Sequence, residues 1–397
     1  MSELRVVTVD GSPGAVDHLA RALRAALDGG PPVLPVVPGE AVVAGEPGEG
    51  AAVAIATSGS TGAAKHVVLS AAALRASAHA TAERLGGTAR WLLALPAQHV
   101  AGVQVLVRAL LAGAPPVVQD LRAGFRPDDF AAATRELGAE RRCTSLVPTQ
   151  LARLLDAGGT ALDALRGYAA VLVGGAALAP RLHERALAEG VAVVTTYGMS
   201  ETAGGCVYDG VPLDGVRVEL EDGGRIRLGG PTLADGYLGD PGLTEAAFAG
   251  GWFRTSDLGR WRDGRLEVLG RADDVIVTGG ENVAPAAVER VLVAQDGVAA
   301  ACVVGVPDAE WGSVVAAAVV LDGRPDNRAL DGTALAERLR AAVRAELGRA
   351  GVPRILRAVP RIPLRGIGKP DRMATAALIT AEGPAAPIAP SSHPRNG

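Results

Sequence analysis

Four apolar runs constrain this chain more than any other feature: Trp91-Leu92-Leu93-Ala94-Leu95, Thr144-Ser145-Leu146-Val147, Ala169-Ala170-Val171-Leu172-Val173 and Val191-Ala192-Val193-Val194. Helix-length segments at 101–113, 128–138, 148–157 and 179–189 alternate with them. A strand that is apolar without alternation buries both of its faces, and strands joined through helices run parallel. The pattern predicts an α/β fold whose mainly parallel sheet is covered by helices on both sides. Upstream, Leu4 to Val9 alternates like a short strand, and Pro13 opens a helix carrying Val16, Leu19, Ala20, Leu23 and Leu27 on one face. Residues 31–50, rich in Pro and Gly, read as a loop or a meandering lead-in.

The pattern changes after Tyr197. Residues 207–271 are rich in Gly and Asp and carry short alternating pieces such as Val216-Arg217-Val218-Glu219-Leu220, which predict a small antiparallel β-rich part. A fresh α/β pattern begins near 272, with a helix at 285–294, strands near 298–306 and 313–321, a helix at 331–348, a strand at 355–359 and a last helix from Pro370. The expected organisation is an N-terminal domain of residues 1–271, a small α+β C-terminal domain of residues 272–382, and a disordered Pro- and Ser-rich tail at 383–397. A length of 397 residues suits more than one core.

Composition excludes several function classes. A formal net charge of −4 with scattered arginines gives no basic surface for nucleic acid or an anionic membrane. No apolar run approaches the ~18 residues of a membrane span, and the N-terminus lacks a signal pattern, so the expected location is the cytoplasm. Cys143, Cys206 and Cys302 are far apart and form no C-x-x-C pair, which argues against a zinc site or a disulfide framework.

Chemistry enters at Thr57-Ser58-Gly59-Ser60-Thr61-Gly62-Ala63-Ala64-Lys65, which follows the apolar run Val53-Ala54-Ile55-Ala56 and precedes an alanine-rich, helix-compatible segment. Hydroxyls, glycines and one lysine supply N–H groups, short donors and a cation, a set suited to a polyphosphate. The pattern G-x-x-x-x-G-K-[ST] is not met, since Ala64 and His66 stand where its glycine and hydroxyl belong. Tyr197-Gly198-Met199-Ser200-Glu201-Thr202 lies at the carboxyl end of a predicted parallel strand, where open α/β sheets bind ligands. Glu201 is placed there to hold Mg²⁺ or to be a plain exposed acid of a turn, and Thr202 to donate to a phosphate. Gly174-Gly175-Ala176-Ala177 allows a flat ring close to the backbone, as would any strand-to-helix turn. Asp257, in Trp252-Phe253-Arg254-Thr255-Ser256-Asp257, is a carboxylate able to grip a ribose or an ordinary turn acid. Gly366-Ile367-Gly368-Lys369-Pro370 presents a lysine from a glycine-flanked loop.

Together, T-S-G-S-T-G-x-x-K, G-G-A, Y-G-M-S-E-T, the aspartate of F-R-T-S-D, G-R-A-D-D-V-I-V-T-G-G-E-N-V and G-x-G-K-x-D-R, in this order over residues ~50 to 375, resemble the adenylate-forming superfamily of acyl-CoA synthetases, adenylation domains and luciferases. The resemblance implies that Thr57, Ser58, Gly59, Ser60, Thr61, Gly62 and Lys65 hold the β- and γ-phosphates of ATP. It places Gly174, Gly175, Ala176, Tyr197 and Gly198 on the adenine side, Glu201 on Mg²⁺, Thr202 on the α-phosphate, and Asp257 and Arg271 at the ribose. Asp273 matches the hinge of a mobile C-terminal domain, Lys369 the lysine of adenylate formation, and Gly279 and Gly280 the loop lining the coenzyme A channel. The implied activity is that of an AMP-forming acid–thiol ligase using ATP, Mg²⁺ and coenzyme A.

The short front end and the block Thr202 to Leu213 resemble the 2-succinylbenzoate–CoA ligases of actinobacteria, which act in menaquinone biosynthesis. Leu95-Pro96-Ala97-Gln98-His99-Val100-Ala101-Gly102 matches an L-P-x-x-H-x-x-G segment, so His99 lines the acyl pocket or is a hydrogen-bonded core residue. Gln150 or Arg153 is expected to meet the substrate's second carboxylate. Three departures stand out: Ala63 and Ala64 replace a lysine and a proline, His66 replaces a glycine, and Arg365 stands where small hydroxyl residues precede the lysine loop. Expected partners are a small carboxylic acid, ATP and CoA, with no nucleic acid and no membrane, and a homodimer is compatible. The alternatives are a ligase for another acyl or aryl acid, a free-standing enzyme loading a carrier protein, and a non-catalytic nucleotide-binding relative.

Overall fold

The computed structural model describes residues 4–41, 45–57, 65–322, 328–330, 332–365 and 369–381. The chain divides into two compact units: Lys369 groups with the residues up to Asp273, and the second unit runs over Asp274–Arg365 and resumes at Pro370. The tail beyond residue 381 and the loop residues 58–64 lie outside the described residues.

The first unit contains the parallel sheet that the apolar runs predict. Its seven strands run in the order Val211–Pro212, Gly204–Tyr208, Val193–Met199, Ala170–Val173, Arg142–Leu146, Arg90–Leu93 and Val117–Val118. The last five are mutually parallel, and Gly204–Tyr208 returns antiparallel to Val193–Met199. Both faces are buried, as unbroken apolar strands require: Trp91 and Leu93 enter one core cluster while Leu92 and Ala94 enter another. Helices Pro127–Glu136, Pro148–Ala157 and Gly159–Arg166 supply the second cluster, and Pro13–Leu27, Ala71–Leu85 and Val100–Leu111 supply the first.

A second sheet shares that first cluster, with strand order Arg5–Thr8, Val33–Val36, Ala51–Thr57, Lys65–Ser70 and Gly236–Tyr237. Two local corrections follow from it. Residues 31–50 contain the buried strand Val33–Val36, so that segment is more than a loop. The phosphate-type loop does not run directly into a helix. Lys65-His66-Val67-Val68-Leu69-Ser70, with the β-branched pair Val67 and Val68 at its centre, forms a strand antiparallel to Ala51–Thr57, with Thr57 opposite Lys65, and the helix begins only at Ala71, capped by the Ser70 hydroxyl. The β-rich part is a five-stranded antiparallel sheet built from Arg217–Leu220, Arg225–Gly229, Phe248–Ala249, Trp252–Arg262 and Arg265–Arg271.

The second unit holds a four-stranded sheet in the order Val298–Asp308, Gly312–Leu321, Ile355–Ala358 and Arg328–Ala329. Helices Pro285–Val293 and Ala334–Leu347 cover one face, and Arg372–Thr380 covers the other. Among the described residues no helix is long and apolar enough to cross a membrane.

Candidate active site

The first unit gathers most of the residues singled out in the sequence at the carboxyl end of strand Val193–Met199. Two glycines make the approach possible. A β-carbon on Gly198 would collide with the Gly204 carbonyl across the ladder, and one on Gly174 would collide with the Thr196 hydroxyl. Gly175 has φ +79°, in the left-handed region that favours glycine. Ala176 follows it, part exposed.

Tyr197 and Asp257 come together although sixty positions separate them in sequence. The Tyr197 hydroxyl donates to Asp257 Oδ2 at 2.8 Å. Burial and the adjoining carboxylate push the Tyr197 phenol far up, so it remains a proton donor. Asp257 faces Arg271 across the antiparallel pair, and Arg271 Nη1 lies 3.7 Å from Asp257 Oδ1. The Asp257 side chain keeps 13% of its surface, enough to show an oxygen to a ligand. Arg271 also donates to Asp273 Oδ2 at 2.5 Å. Burial raises the Asp273 carboxyl, but the hydrogen bond and charge of Arg271 outweigh that and hold it below the ordinary range.

A second constellation stands on the neighbouring turn. Glu201 accepts a hydrogen bond from the Tyr237 hydroxyl at 3.0 Å, and Lys65 Nζ lies 5.5 Å from the centre of the same ring. Tyr237 arrives there because Gly236–Tyr237 is an added antiparallel strand beside Lys65–Ser70, with Tyr237 opposite Val67. Burial, then the Glu201 charge, raises the Tyr237 phenol. Sequence reasoning missed this tyrosine, and its only signal is the Gly-Tyr pair after Asp235. Among the described residues no group of three or more His, Cys, Asp or Glu surrounds a metal position. Glu201 is therefore a single-carboxylate candidate. That suits Mg²⁺, which keeps several waters and takes phosphate oxygens as its other ligands.

Several expected residues are placed differently. Thr202 is 1% exposed, and its hydroxyl donates to the carbonyls of Gly204 at 2.8 Å and Met199 at 3.2 Å while accepting from Met199 N at 3.0 Å. It pins its own turn and is not displayed to a ligand. Ser200, on the same turn, is part exposed. Gln150 is also committed: Oε1 accepts from Val147 N at 3.0 Å and Nε2 donates to Ala94 O at 2.7 Å, which closes the start of its helix. Arg153 lies on the exposed face of that helix, away from Leu151, Leu154 and Leu155. His99 is the part-buried N-cap of Val100–Leu111.

That helix holds two polar residues the sequence reading passed over. Arg108 is buried, stacked 5.1 Å from the Trp91 ring centre, and donates to the Tyr208 hydroxyl at 3.3 Å, while its Nε has no partner among the described residues. Gln104, one turn earlier and packed beside Gly204, is buried with both amide atoms unpartnered among the described residues. The available signal was one arginine and one glutamine inside the apolar run Val100-Ala101-Gly102-Val103-Gln104-Val105-Leu106-Val107-Arg108.

In the second unit, Gly279 and Gly280 form the turn between Ile276–Thr278 and Glu281–Val283, with φ +56° and +84°. The Gly279 N–H donates to Trp311 O at 3.1 Å, and the indole covers the glycine so closely that a β-carbon there would collide. Lys369, which groups with the first unit, begins the short strand Lys369–Pro370 just before the helix capped by Asp371, and its side chain lies outside the described residues.

Residues 17–238 match the AMP-binding enzyme family, and residues 287–369 match the AMP-binding enzyme C-terminal domain. The chain belongs to the AMP-binding enzyme family. A probable 2-succinylbenzoate–CoA ligase of Mycobacterium tuberculosis is 46% identical over 368 residues, covering 90% of this chain and 94% of that protein. A 2-succinylbenzoate–CoA ligase of Listeria monocytogenes is 32% identical over 80% of the chain and 68% of the relative. Among solved structures, the o-succinylbenzoate CoA synthetase of Bacillus subtilis, in complex with its acyl-adenylate intermediate, superposes with a TM-score of 0.72 at 25% identity, covering 94% of this chain and 88% of that one. The E. coli enzyme gives a TM-score of 0.72 at 26% identity, covering 96% and 89%.

Proposed function

We propose that this chain is a 2-succinylbenzoate–CoA ligase of menaquinone biosynthesis, working in the cytoplasm, where ATP and coenzyme A are supplied. Membership of the AMP-binding enzyme family and the similarity to ligases of this substrate support the reaction class. The observation that carries the substrate is Arg108, a buried cation whose Nε–H has no partner among the described residues, on the helix that follows His99. A buried guanidinium without a carboxylate is costly, and a dianionic substrate supplies the missing partner. One carboxylate of 2-succinylbenzoate reacts and the other remains to be recognised. Arg108 therefore replaces Gln150 and Arg153 in that role.

In the reaction a carboxylate oxygen of the acid attacks the α-phosphorus of ATP and pyrophosphate leaves, giving an acyl-adenylate. Asp257 accepts the ribose hydroxyls, kept in place by Tyr197 and Arg271. Lys65 and the hydroxyls of residues 57–61 hold the leaving pyrophosphate, and Ser200 takes the α-phosphate contact in place of Thr202. Glu201, oriented by the Tyr237 hydroxyl, would hold Mg²⁺, which when bound draws charge from the phosphate oxygens. Lys369 neutralises charge at the α-phosphate in this step. The second unit, residues from Asp274 on, then turns about Asp273 and brings the Gly279-Gly280 turn to line the path of the thiol. The thiolate attacks the acyl carbonyl, and AMP leaves as the thioester forms. Purified protein given MgATP, CoA and 2-succinylbenzoate should release one AMP for each thioester. Absence of both products, with a different aryl acid turning over instead, would sink the substrate assignment.

A further inference from the structure

The second unit contains a part-buried arginine for which the reaction as described has no use. Arg372 opens the last helix, three residues after Lys369. Its Nε donates to Asp274 Oδ2 at 3.1 Å, and its Nη1 donates to Glu289 Oε1 at 2.5 Å and to Val303 O at 2.6 Å. Nη2 adds a longer bond to Glu289 Oε2 at 3.3 Å. Glu289 also accepts from Val303 N at 2.8 Å, so acid, arginine and strand form one closed network. Burial works against the charge on Arg372, but the Glu289 carboxylate outweighs it and keeps the guanidinium firmly protonated.

Each partner belongs to a different working part of this unit. Asp274 is the first residue beyond the step that separates the two units. Glu289 lies on Pro285–Val293, the helix that follows the Gly279-Gly280 hairpin directly. Arg372 itself continues from Lys369, and the intervening Asp371 is fixed by its N–H to Pro363 O at 2.8 Å and by its carboxylate capping Ala374 N at 3.0 Å. On the other side of the step, Asp273 is held by Arg271 of the first unit. Each flank of the 273–274 link is thus fastened to its own unit by an arginine.

We propose that Arg372 is a positioning residue that ties the pivot at Asp274 and the helix after the Gly279-Gly280 turn to the start of the last helix, three residues after Lys369. A lysine that serves one half-reaction and a glycine turn that serves the other both need to be fixed in phase with the pivot. A bidentate guanidinium with three anchoring directions does this, and a lysine's single ammonium does not. This inference rests on the ligase reading given above.

The test measures two half-reactions in the full chain: pyrophosphate exchange with MgATP and 2-succinylbenzoate, and thioester formation from supplied acyl-adenylate and CoA. Arg372→Gln should lower kcat in both together, on the order of 10- to 100-fold for a displacement near 1 Å, with KM for ATP and for the acid unchanged. Arg372→Lys should recover part of both rates. Glu289→Gln, which leaves the Asp274 pair in place, should give the same pattern with a smaller loss. Rates are expressed per folded molecule, taken from thermal melts of each variant. Full rates per folded molecule in Arg372→Gln, or loss of one half-reaction alone, would overturn the proposal. An inactive wild type would instead overturn the ligase reading.

Discussion

At the scale of single residues, the site separates side chains that face a ligand from neighbours of the same type that hold the backbone. Thr202 and Ser200 sit on one turn, yet only Thr202 is sealed into it by three hydrogen bonds. Thr202→Val should cost about 1–3 kcal/mol of stability by orphaning buried backbone groups, readable by denaturant titration, while KM for ATP in the folded fraction stays unchanged. Arg108→Met should raise KM for 2-succinylbenzoate at least about tenfold, since a hydrogen bond to a charged group contributes about 1.5–3 kcal/mol, and leave KM for ATP alone. Equal KM values for the acid in both proteins would refute that assignment. Cys206 gives a pH test. Burial pushes its thiol up to about 12 from 9.0. Because the folded value is the higher one, the contribution is complete below the unfolded value and is lost as pH rises toward the folded one. Urea titrations at pH 8 and pH 10.5 should show a larger alkaline loss for wild type than for Cys206→Ala. Asp257, Glu201 and Tyr197 could be singled out as candidates from sequence because each sits in a distinctive local string. Arg108, Gln104 and Tyr237 were not legible, because their meaning depends on burial and on strands that meet only in the fold.

At the scale of elements, chain direction and close approach decide where the site residues point. The apolar runs predicted the parallel strands and their helices, since period and length are local properties. The hairpin Ala51–Thr57 and Lys65–Ser70 was hidden by the alanine-rich stretch beyond it, which invited a helix directly after the loop. That hairpin brings Lys65 beside Tyr237 and so toward Glu201. The crossing of Val193–Met199 with Gly204–Tyr208 is equally specific. Gly198→Ala would force a β-carbon into the Gly204 carbonyl. The variant should lose roughly 1–3 kcal/mol and, where folded, show a raised KM for ATP, because Tyr197 moves off Asp257. An unchanged melting curve and KM would show that the strands separate freely there.

At the scale of the whole molecule, the Gly279-Gly280 turn lies in the second unit, while Lys369 groups with the first. Separate cores form in the residues before Asp273 and in those after Asp274. Lys369→Ala should depress pyrophosphate exchange by several powers of ten and leave thioester formation from supplied acyl-adenylate within a few fold of wild type. Equal losses in both steps would contradict the alternation of the two faces. The most direct test of the central claim is mass spectrometry of the enzyme quenched after incubation with MgATP and 2-succinylbenzoate but no CoA. The prediction is one acyl-adenylate per active site, converted to thioester and AMP when CoA is added. Thioester formation without any adenylate before CoA, or no adenylate and no thioester at all, would contradict it.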